Sequence, residues 1–275
     1  MSSVADTAGE PIPGGETHTS ISRILAGLGG KVACSARYLQ PPSHSETVID
    51  INGSEVMPAA SLAKLPVAVE LFRRADLGLF GLDERVDTSE EPRVGGGGVL
   101  DYLDPSTQLT FHDLCFLMIA VSDNTAANFL LDFLGMGEIN ETLNRIHIEK
   151  TRLARHFMDM AARVAHRDNV TTAADMVSLL SLIRGSALPG APRLRDMLAA
   201  QQCAEDLLAW LPEGTQLAHK TGSLDGIFHD AGILNGPAGG CVFAIMTSEQ
   251  SDISETRRAV GRILRVLWNN WCAAA

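Results

Sequence analysis

The chain has 275 residues, 45% of them hydrophobic and 20% charged, and carries a formal net charge of −11. That length can bury a sizeable core, as one large domain or two interleaved lobes, and the composition is that of a soluble globular protein. The acidic balance excludes a surface made for nucleic acid or anionic lipid, whose phosphates would be repelled, and no basic cluster offsets it.

Met1 to Thr19 is rich in Gly, Pro, Ser and Thr and lacks the basic start and apolar run of an export signal. It reads as a flexible tail and, for a chain that begins here, implies cytoplasmic residence. No stretch approaches the roughly 20 apolar residues that cross a bilayer. Ile21 to Leu28 reads as an apolar-faced helix closed by Gly29 and Gly30. Val32 to Leu39 and Thr47 to Ile51 read as strands, joined by the Pro-containing turn Gln40 to Glu46.

The section 61–211 is helical in pattern, with "SLAKLPVAVELFRRA", "TFHDLCFLMIAV", "TAANFLLDFLG" and "TTAADMVSLLSLI". Thr110 and Asp113 form a capping-box pattern, and Gly135 supplies a helix stop. Strand signals return at Gln216 to Thr221, His229 to Leu234 and Cys241 to Thr247, before an amphipathic stretch from Ser254 to Trp271. This order predicts an α+β fold in which strands distant in sequence share one sheet. It divides the chain into a tail (1–19) and one domain, with an α/β lobe (20–60 and 212–275) and a helical lobe (61–211).

The five cysteines, Cys34, Cys115, Cys203, Cys241 and Cys272, are odd in number and scattered, with no CxxC or metal-ligand spacing. Their apolar contexts predict small buried thiols in a reducing compartment.

Three short patterns carry chemistry. In Ser61-Leu62-Ala63-Lys64 the spacing puts hydroxyl and amine on one helix face. A serine hydroxyl needs a base, and a lysine serves only if burial or positive neighbours keep its amine partly neutral. Taken alone, a helix cap beside a solvated lysine explains most such patterns. Ser122-Asp123-Asn124 interrupts two apolar helical runs; it is either an N-cap or an elbow that sets a hydroxyl and an amide on a cleft. In His219-Lys220-Thr221-Gly222-Ser223 a strand would end in a cation, a hydroxyl and a glycine that lets substrate approach the backbone.

Together, in this order, the three resemble the Ser-x-x-Lys, Ser-Asp-Asn and Lys-Thr-Gly set of class A β-lactamases and penicillin-binding proteins. Supporting matches are "PAASLAKLPVA", the glycine run before "VLDYL", "TRLAR" and "HKTGSLDGIFHDAGIL", so the resemblance spans most of residues 20–272. It implies an antiparallel sheet flanked by N- and C-terminal helices and packed on an all-helical lobe, with the site between. It implies Ser61 as nucleophile, Lys64 as proton acceptor and Ser122 as proton relay to the leaving group. Asn124 would bind the substrate's amide side chain, Lys220 would supply positive potential and Thr221 would bind a carboxylate. The backbone N–H groups of Ser61 and Ser223 would form the oxyanion hole.

The sequence also departs from that family. Aligned on Thr151-Arg152-Leu153-Ala154-Arg155, the position of the glutamate that activates water in class A β-lactamases holds Phe157. No Glu occurs between Glu149 and Glu205. Asp159 and His156 are the nearby groups left for a base role in deacylation, although a surface or salt-bridged Asp159 and a structural His156 and His166 are the plainer readings. Arg155 with Asp168 reads as a loop-closing ion pair. His229 stands where the family often places an arginine for the substrate carboxylate, as a weaker, pH-dependent anion partner or as a sheet-edge histidine beside Asp230.

The resulting expectation is a serine hydrolase or acyltransferase acting on a small amide, ester or peptide-like substrate through acyl-Ser61. It needs no cofactor or metal, and no nucleic acid or membrane partner; the oligomeric state is left open. One alternative is a true β-lactamase with a relocated deacylation base. Another is a penicillin-binding, sensor-like protein acylated without turnover.

Overall fold

The computed structural model describes residues 14–39, 48–203 and 205–273. The chain begins with α1 (Gly14–Leu25), β1 (Lys31–Leu39), β2 (Val48–Ile51) and β3 (Met57–Pro58). A 3₁₀ turn (Ala60–Ala63) leads into α2 (Lys64–Asp76), then β4 (Arg85–Val86), a second 3₁₀ turn (Leu100–Tyr102) and β5 (Leu109–Thr110). The helical lobe continues with α3 (Phe111–Ala120), α4 (Asn124–Leu134), α5 (Met136–Arg145), α6 (Met160–Val164), β6 (Val170–Thr171), α7 (Ala173–Arg184), α8 (Ala191–Ala199) and α9 (Glu205–Leu208). It returns to the sheet through β7 (Gln216–Leu224), β8 (Ile227–Gly236) and β9 (Gly239–Ser248), and ends in α10 (Ile253–Leu267) with a π turn (Trp268–Cys272).

The α+β layout expected from the sequence is present. One antiparallel sheet has the order β2-β1-β9-β8-β7, so the first and last parts of the chain meet through the β1–β9 ladder. The eight residues Ile227–Leu234 and the nine Gly240–Ser248 are buried without interruption. Both faces of β8 and β9 are therefore covered, and neither strand shows the buried–exposed alternation of a half-solvated strand. One face of the sheet packs on α1 and α10 through Ile21, Leu25, Phe243, Ile263 and Leu267. The other meets the helical lobe through Ala231, Ile233, Val242 and Ala244, with Leu62, Leu65 and Met176 opposite.

Two boundaries differ from the sequence reading. The tail is shorter than Met1–Thr19, because α1 starts at Gly14 and Thr17 is fully buried, its Oγ1 accepting from Asn270 Nδ2 at 3.1 Å. The predicted turn Gln40 to Glu46 lies outside the described residues. β7 runs on through Gly222 to Leu224 because that glycine keeps its place in the ladder opposite His229; the reversal falls later, at Gly226, where φ is +67°.

α2 is the buried axis of the helical lobe: every residue from Lys64 to Phe72 is buried. Pro66 is tolerated because it lies in the first turn, where a backbone N–H has no helical partner. Glu70, fully buried, accepts from Arg73 Nε (2.7 Å), Arg74 Nε (2.6 Å) and Thr142 Oγ1 (2.7 Å). Its charge is thus compensated, and α5 is tied to α2. The Thr110–Asp113 capping box starts α3, and Gly135 at φ +80° closes α4, both where the sequence put them. Among the described residues no helix is long and apolar enough to cross a membrane.

All five cysteines are unpaired; Cys34, Cys115, Cys241 and Cys272 are buried and Cys203 is exposed. Burial pushes the Cys34 and Cys115 thiols up to about 12, and for Cys34 nearby Asp50 adds to the effect. The native protein should therefore react with a thiol reagent such as Ellman's at one site, Cys203, and at five once unfolded. A Cys203→Ser protein that still titrates rapidly in the native state would contradict this packing.

Candidate active site

The 3₁₀ turn at Ala60–Ala63 sets the geometry. In such a turn residues three apart eclipse, so Ser61 and Lys64 share one face where the turn feeds into α2. Ala60 holds φ at +47°, a left-handed conformation that costs a residue with a side chain about 1–3 kcal/mol. The turn is fixed from outside: Ala59 N donates to Asn169 O at 2.7 Å, and β3 pairs with β6. Ser61 itself is half-buried.

Behind it, Lys64 is fully buried. Its Nζ donates to Ser122 O (2.6 Å), Asn124 Oδ1 (2.7 Å) and Ser122 Oγ (3.0 Å). Lys220, also fully buried, reaches the same hydroxyl from β7: its Nζ donates to Ser122 Oγ at 3.1 Å and to Thr221 O at 2.9 Å. Burial, then repulsion from Lys220, holds the Lys64 amine well below the usual lysine range. Burial likewise brings Lys220 down to about 8. A lowered lysine is what a proton acceptor at neutral pH requires.

The elbow between α3 and α4 carries this arrangement. Ser122 has φ +57°, and the next residue, Asp123, is the α4 N-cap, accepting from Ala126 N at 2.9 Å. The N-cap reading thus holds for Asp123, while the elbow sets the Ser122 hydroxyl against the two buried lysines. Asp123 Oδ2 also accepts from Val99 N (2.7 Å) and Leu100 N (2.8 Å), which fastens the glycine run Gly95–Gly98 to the elbow. All four glycines have positive φ, and a Cβ on Gly98 would collide with the Asp123 carboxylate. The Asn124 amide is already committed, its Oδ1 to Lys64 and its Nδ2 to Gly95 O at 2.8 Å.

β7 is the edge strand of the sheet and lies against the nucleophile. A Cβ on Gly222 would sit 3.2 Å from Ser61 N and 3.2 Å from Ala60 Cβ, so only glycine leaves this approach free of strain. The backbone amides of Ser61 and exposed Ser223 thus belong to neighbouring walls, as a paired oxyanion donor requires. Ser61, Asn124 and Ser223 line one cavity of about 40 Å³ with Ala60, Gly96, Arg155, Phe157, Met158 and Leu224.

The segment 151–170 closes over this cavity as a necked loop. Arg152 and Val170 exchange backbone hydrogen bonds at 2.9 and 3.0 Å, and Asn169 Oδ1 accepts from Ala154 N and Arg155 N. The expected ion pair is made, Arg155 Nε to Asp168 Oδ1 at 2.8 Å. Phe157 is pinned from both sides by Asn128 of α4: Phe157 N donates to Asn128 Oδ1 at 2.8 Å, and Asn128 Nδ2 donates to Phe157 O at 3.1 Å. Its ring lies 5.0 Å from Lys64 Nζ. An apolar ring thus stands beside the buried amine.

The remaining candidates fall elsewhere. Asp159 is exposed and caps α6, its Oδ1 accepting from Ala162 N at 2.9 Å. His156 Nε2 pairs with Asp132 Oδ1 at 2.6 Å on a part-exposed surface. Neither lines the Ser61 cavity. His229 requires a correction. Its ring is fully buried, Nδ1 accepts from Thr247 N at 3.1 Å, and Nε2 therefore donates to Pro58 O at 2.8 Å. Burial lowers it to about 4, so it is a neutral tie between β8, β9 and β3, with no nitrogen left for a carboxylate. Thr221 is buried on β7 opposite Asp230. Among the described residues no group of three or more His, Cys, Asp or Glu gathers to hold a metal. Two contributors were not singled out from the sequence: Asn128, signalled only as a polar residue inside "TAANFLL", and Met158.

Comparison with known proteins points the same way. The model of the Beta-lactamase enzyme family matches residues 16–271. Beta-lactamase AER-1 of Aeromonas hydrophila is 30% identical over 188 residues, which are 66% of this chain and 62% of that protein's length. A β-lactamase from Sphaerobacter thermophilus has a similar structure, with a TM-score of 0.83 and 28% identity over 92% of this chain and 97% of that one. PBP-A is similar at a TM-score of 0.83 and 26% identity, covering 96% and 98%.

Removing the Asn128 clamp tests the loop. Asn128→Ala leaves the buried Phe157 N–H without an acceptor, which costs about 1–3 kcal/mol. Chemical denaturation should show that loss, and limited proteolysis should cut faster within 151–170. Stability within about 0.5 kcal/mol of the parent, the scatter of neutral surface changes, would mean that the clamp carries no load.

Proposed function

Because the chain belongs to the Beta-lactamase enzyme family, we propose that it is a serine acyl-transfer enzyme. It would load small amide, ester or peptide-like donors, β-lactams among them, onto Ser61. The neutral Lys64 amine takes the Ser61 Oγ proton as Oγ bonds to the donor's carbonyl carbon. The N–H groups of Ser61 and Ser223 bind the oxyanion of the tetrahedral intermediate. Its collapse breaks the C–N or C–O bond to the leaving group, which receives a proton from Ser122 Oγ; Lys64, bonded to that oxygen, resupplies it. Lys220 gives the positive potential for an anionic donor, with Thr221 beside it.

The observation that carries the rest is the Phe157 ring, 5.0 Å from Lys64 Nζ. Release by water needs a base that both holds the water and takes its proton. A phenyl ring does neither. The acyl group therefore waits on Ser61 for a better nucleophile than water, an amine or an alcohol, and the reading favours acyl transfer over fast hydrolysis. A relocated base is disfavoured because Asp159 is spent as a helix cap and His156 on Asp132.

Intact-protein mass spectrometry with benzylpenicillin tests this directly. The wild type should carry one slowly released adduct, and Ser61→Ala none. Phe157→Glu restores a carboxylate worth about 10²–10⁴-fold, less about 10² for a misplacement of an ångström in this altered loop. Release should then quicken by about tenfold, and Asp159→Asn should leave it unchanged. Rapid multiple turnover by the wild type would overturn the reading.

The lysines also set the pH dependence. Acylation rises with pH as Lys64 loses its proton. For an anionic donor it falls again above about 8, where Lys220 loses its charge. A neutral ester should show the rise without the fall. If both donors decline together above that pH, Lys220 is not the anion partner.

A further inference from the structure

Met158 adopts φ +66°, a conformation that a residue with a side chain holds only under constraint. The constraint is visible on both sides. The Asn128 clamp fixes Phe157 before it, and after it Met160 N donates to Met158 O at 2.8 Å while Asp159 caps α6. So fixed, the backbone projects the thioether out of the 151–170 loop towards the glycine run. A Cβ on Gly96 would sit 2.6 Å from both Sδ and Cε of Met158. The side chain therefore rests on bare glycine backbone, which is itself pinned to the elbow by Asn124 and Asp123.

This contact bridges the two walls of the Ser61 cavity and leaves about 40 Å³ inside. At roughly 10–15 Å³ of such volume per molecule, that holds a few waters, against roughly 300–1,000 Å³ for ordinary ligand pockets. A bulky acyl group cannot occupy this space until a wall moves. Phe157 is clamped and 5% exposed, Arg155 is tied to Asp168, and Leu224 ends the β7 ladder. Met158 is unbranched and 37% exposed, with solvent to swing into.

We propose that Met158 is the specificity gate of this site: resting on Gly96 it admits small acyl groups, and larger donors are charged the work of displacing it. The proposal builds on the acyl-Ser61 reading and names the preferred donor class, short-chain acyl groups; a bulky donor such as benzylpenicillin still loads, but slowly, because it must displace Met158 first. The two stand or fall separately in one experiment. The nitrophenyl esters of acetate and phenylacetate share a leaving group, so the nitrophenolate burst measures transfer of each acyl group to Ser61 Oγ. The wild type should favour acetyl. Met158→Gly keeps the left-handed backbone unstrained and removes the side chain; the acetyl-to-phenylacetyl ratio should fall by about tenfold or more, the scale on which apolar pockets discriminate by size. Met158→Leu, of similar bulk, should restore most of the preference. A ratio within threefold of wild type in Met158→Gly overturns the gate alone. If neither ester releases nitrophenolate above the Ser61→Ala background, the acyl-serine reading fails and the gate with it.

Discussion

Two lysines, both without solvent exposure, donate to one serine hydroxyl, at 3.0 Å from Lys64 and 3.1 Å from Lys220. Two ammonium groups so close in a dry interior cannot both hold their protons cheaply. The architecture around them supplies acceptors, the carbonyls of Ser122 and Thr221 and the amide oxygen of Asn124, and it draws them from both lobes. The α3–α4 elbow, the edge strand β7 and the start of α2 must therefore be in register at once. Positive φ at Ala60 and Ser122, on the two sides of the cluster, marks where the backbone bends to allow it. The positions of the glycine run and of the 151–170 loop follow from that elbow, through Asp123 and Asn128 respectively.

Much of this was legible because the signals are local. The capping box at Thr110 and the stop at Gly135 each lie within a few residues of what they control, and the short strand signals at His229–Leu234 and Cys241–Thr247 fall inside β8 and β9. The reading failed where the decision is made by something distant. Gly222 looked like the end of a strand; it is a strand residue kept small by the Ser61 turn packed against it, more than 150 positions earlier in the chain. His229 was read either as an anion partner in the cleft or as a sheet-edge histidine, and it is neither, because β8 lies inside the sheet between β9 and β7. Pro58 and Thr247, on two other strands, take both of its nitrogens. The tail reading overran because a residue that ties Thr17 to the fold, Asn270, is at the opposite end of the chain.

The site shows the same division. Ser61, Lys64, Ser122, Asn124 and Lys220 were named from three motifs and the family resemblance they carry together, and the structure gathers them within hydrogen-bonding reach of one another or around one cavity. Phe157 was noticed as a departure, but the clamp that holds it was not. Asn128 reads as an ordinary polar interruption of an apolar helix until its partner is known. Met158 carries no sequence signal at all: its importance comes from a left-handed backbone and from the absence of a side chain at Gly96, and only a fold can bring those two facts together.

The loss of a carboxylate beside Lys64 has two consequences that reinforce each other. A negative charge there would stabilise the ammonium and raise the lysine towards its ordinary range. A phenyl ring offers only the attraction of its face, about 0.5–2 kcal/mol, and excludes water besides. On the acyl-transfer reading, a phenyl ring at this position both denies deacylating water a partner and leaves Lys64 more readily neutral, which would suit it to take the Ser61 proton. On that reading, acylation and release would depend in opposite directions on the group at this one position. On the acyl-transfer reading proposed above, a site with Phe157 would capture an acyl group and hold it, and the Met158 gate would decide which acyl groups are captured.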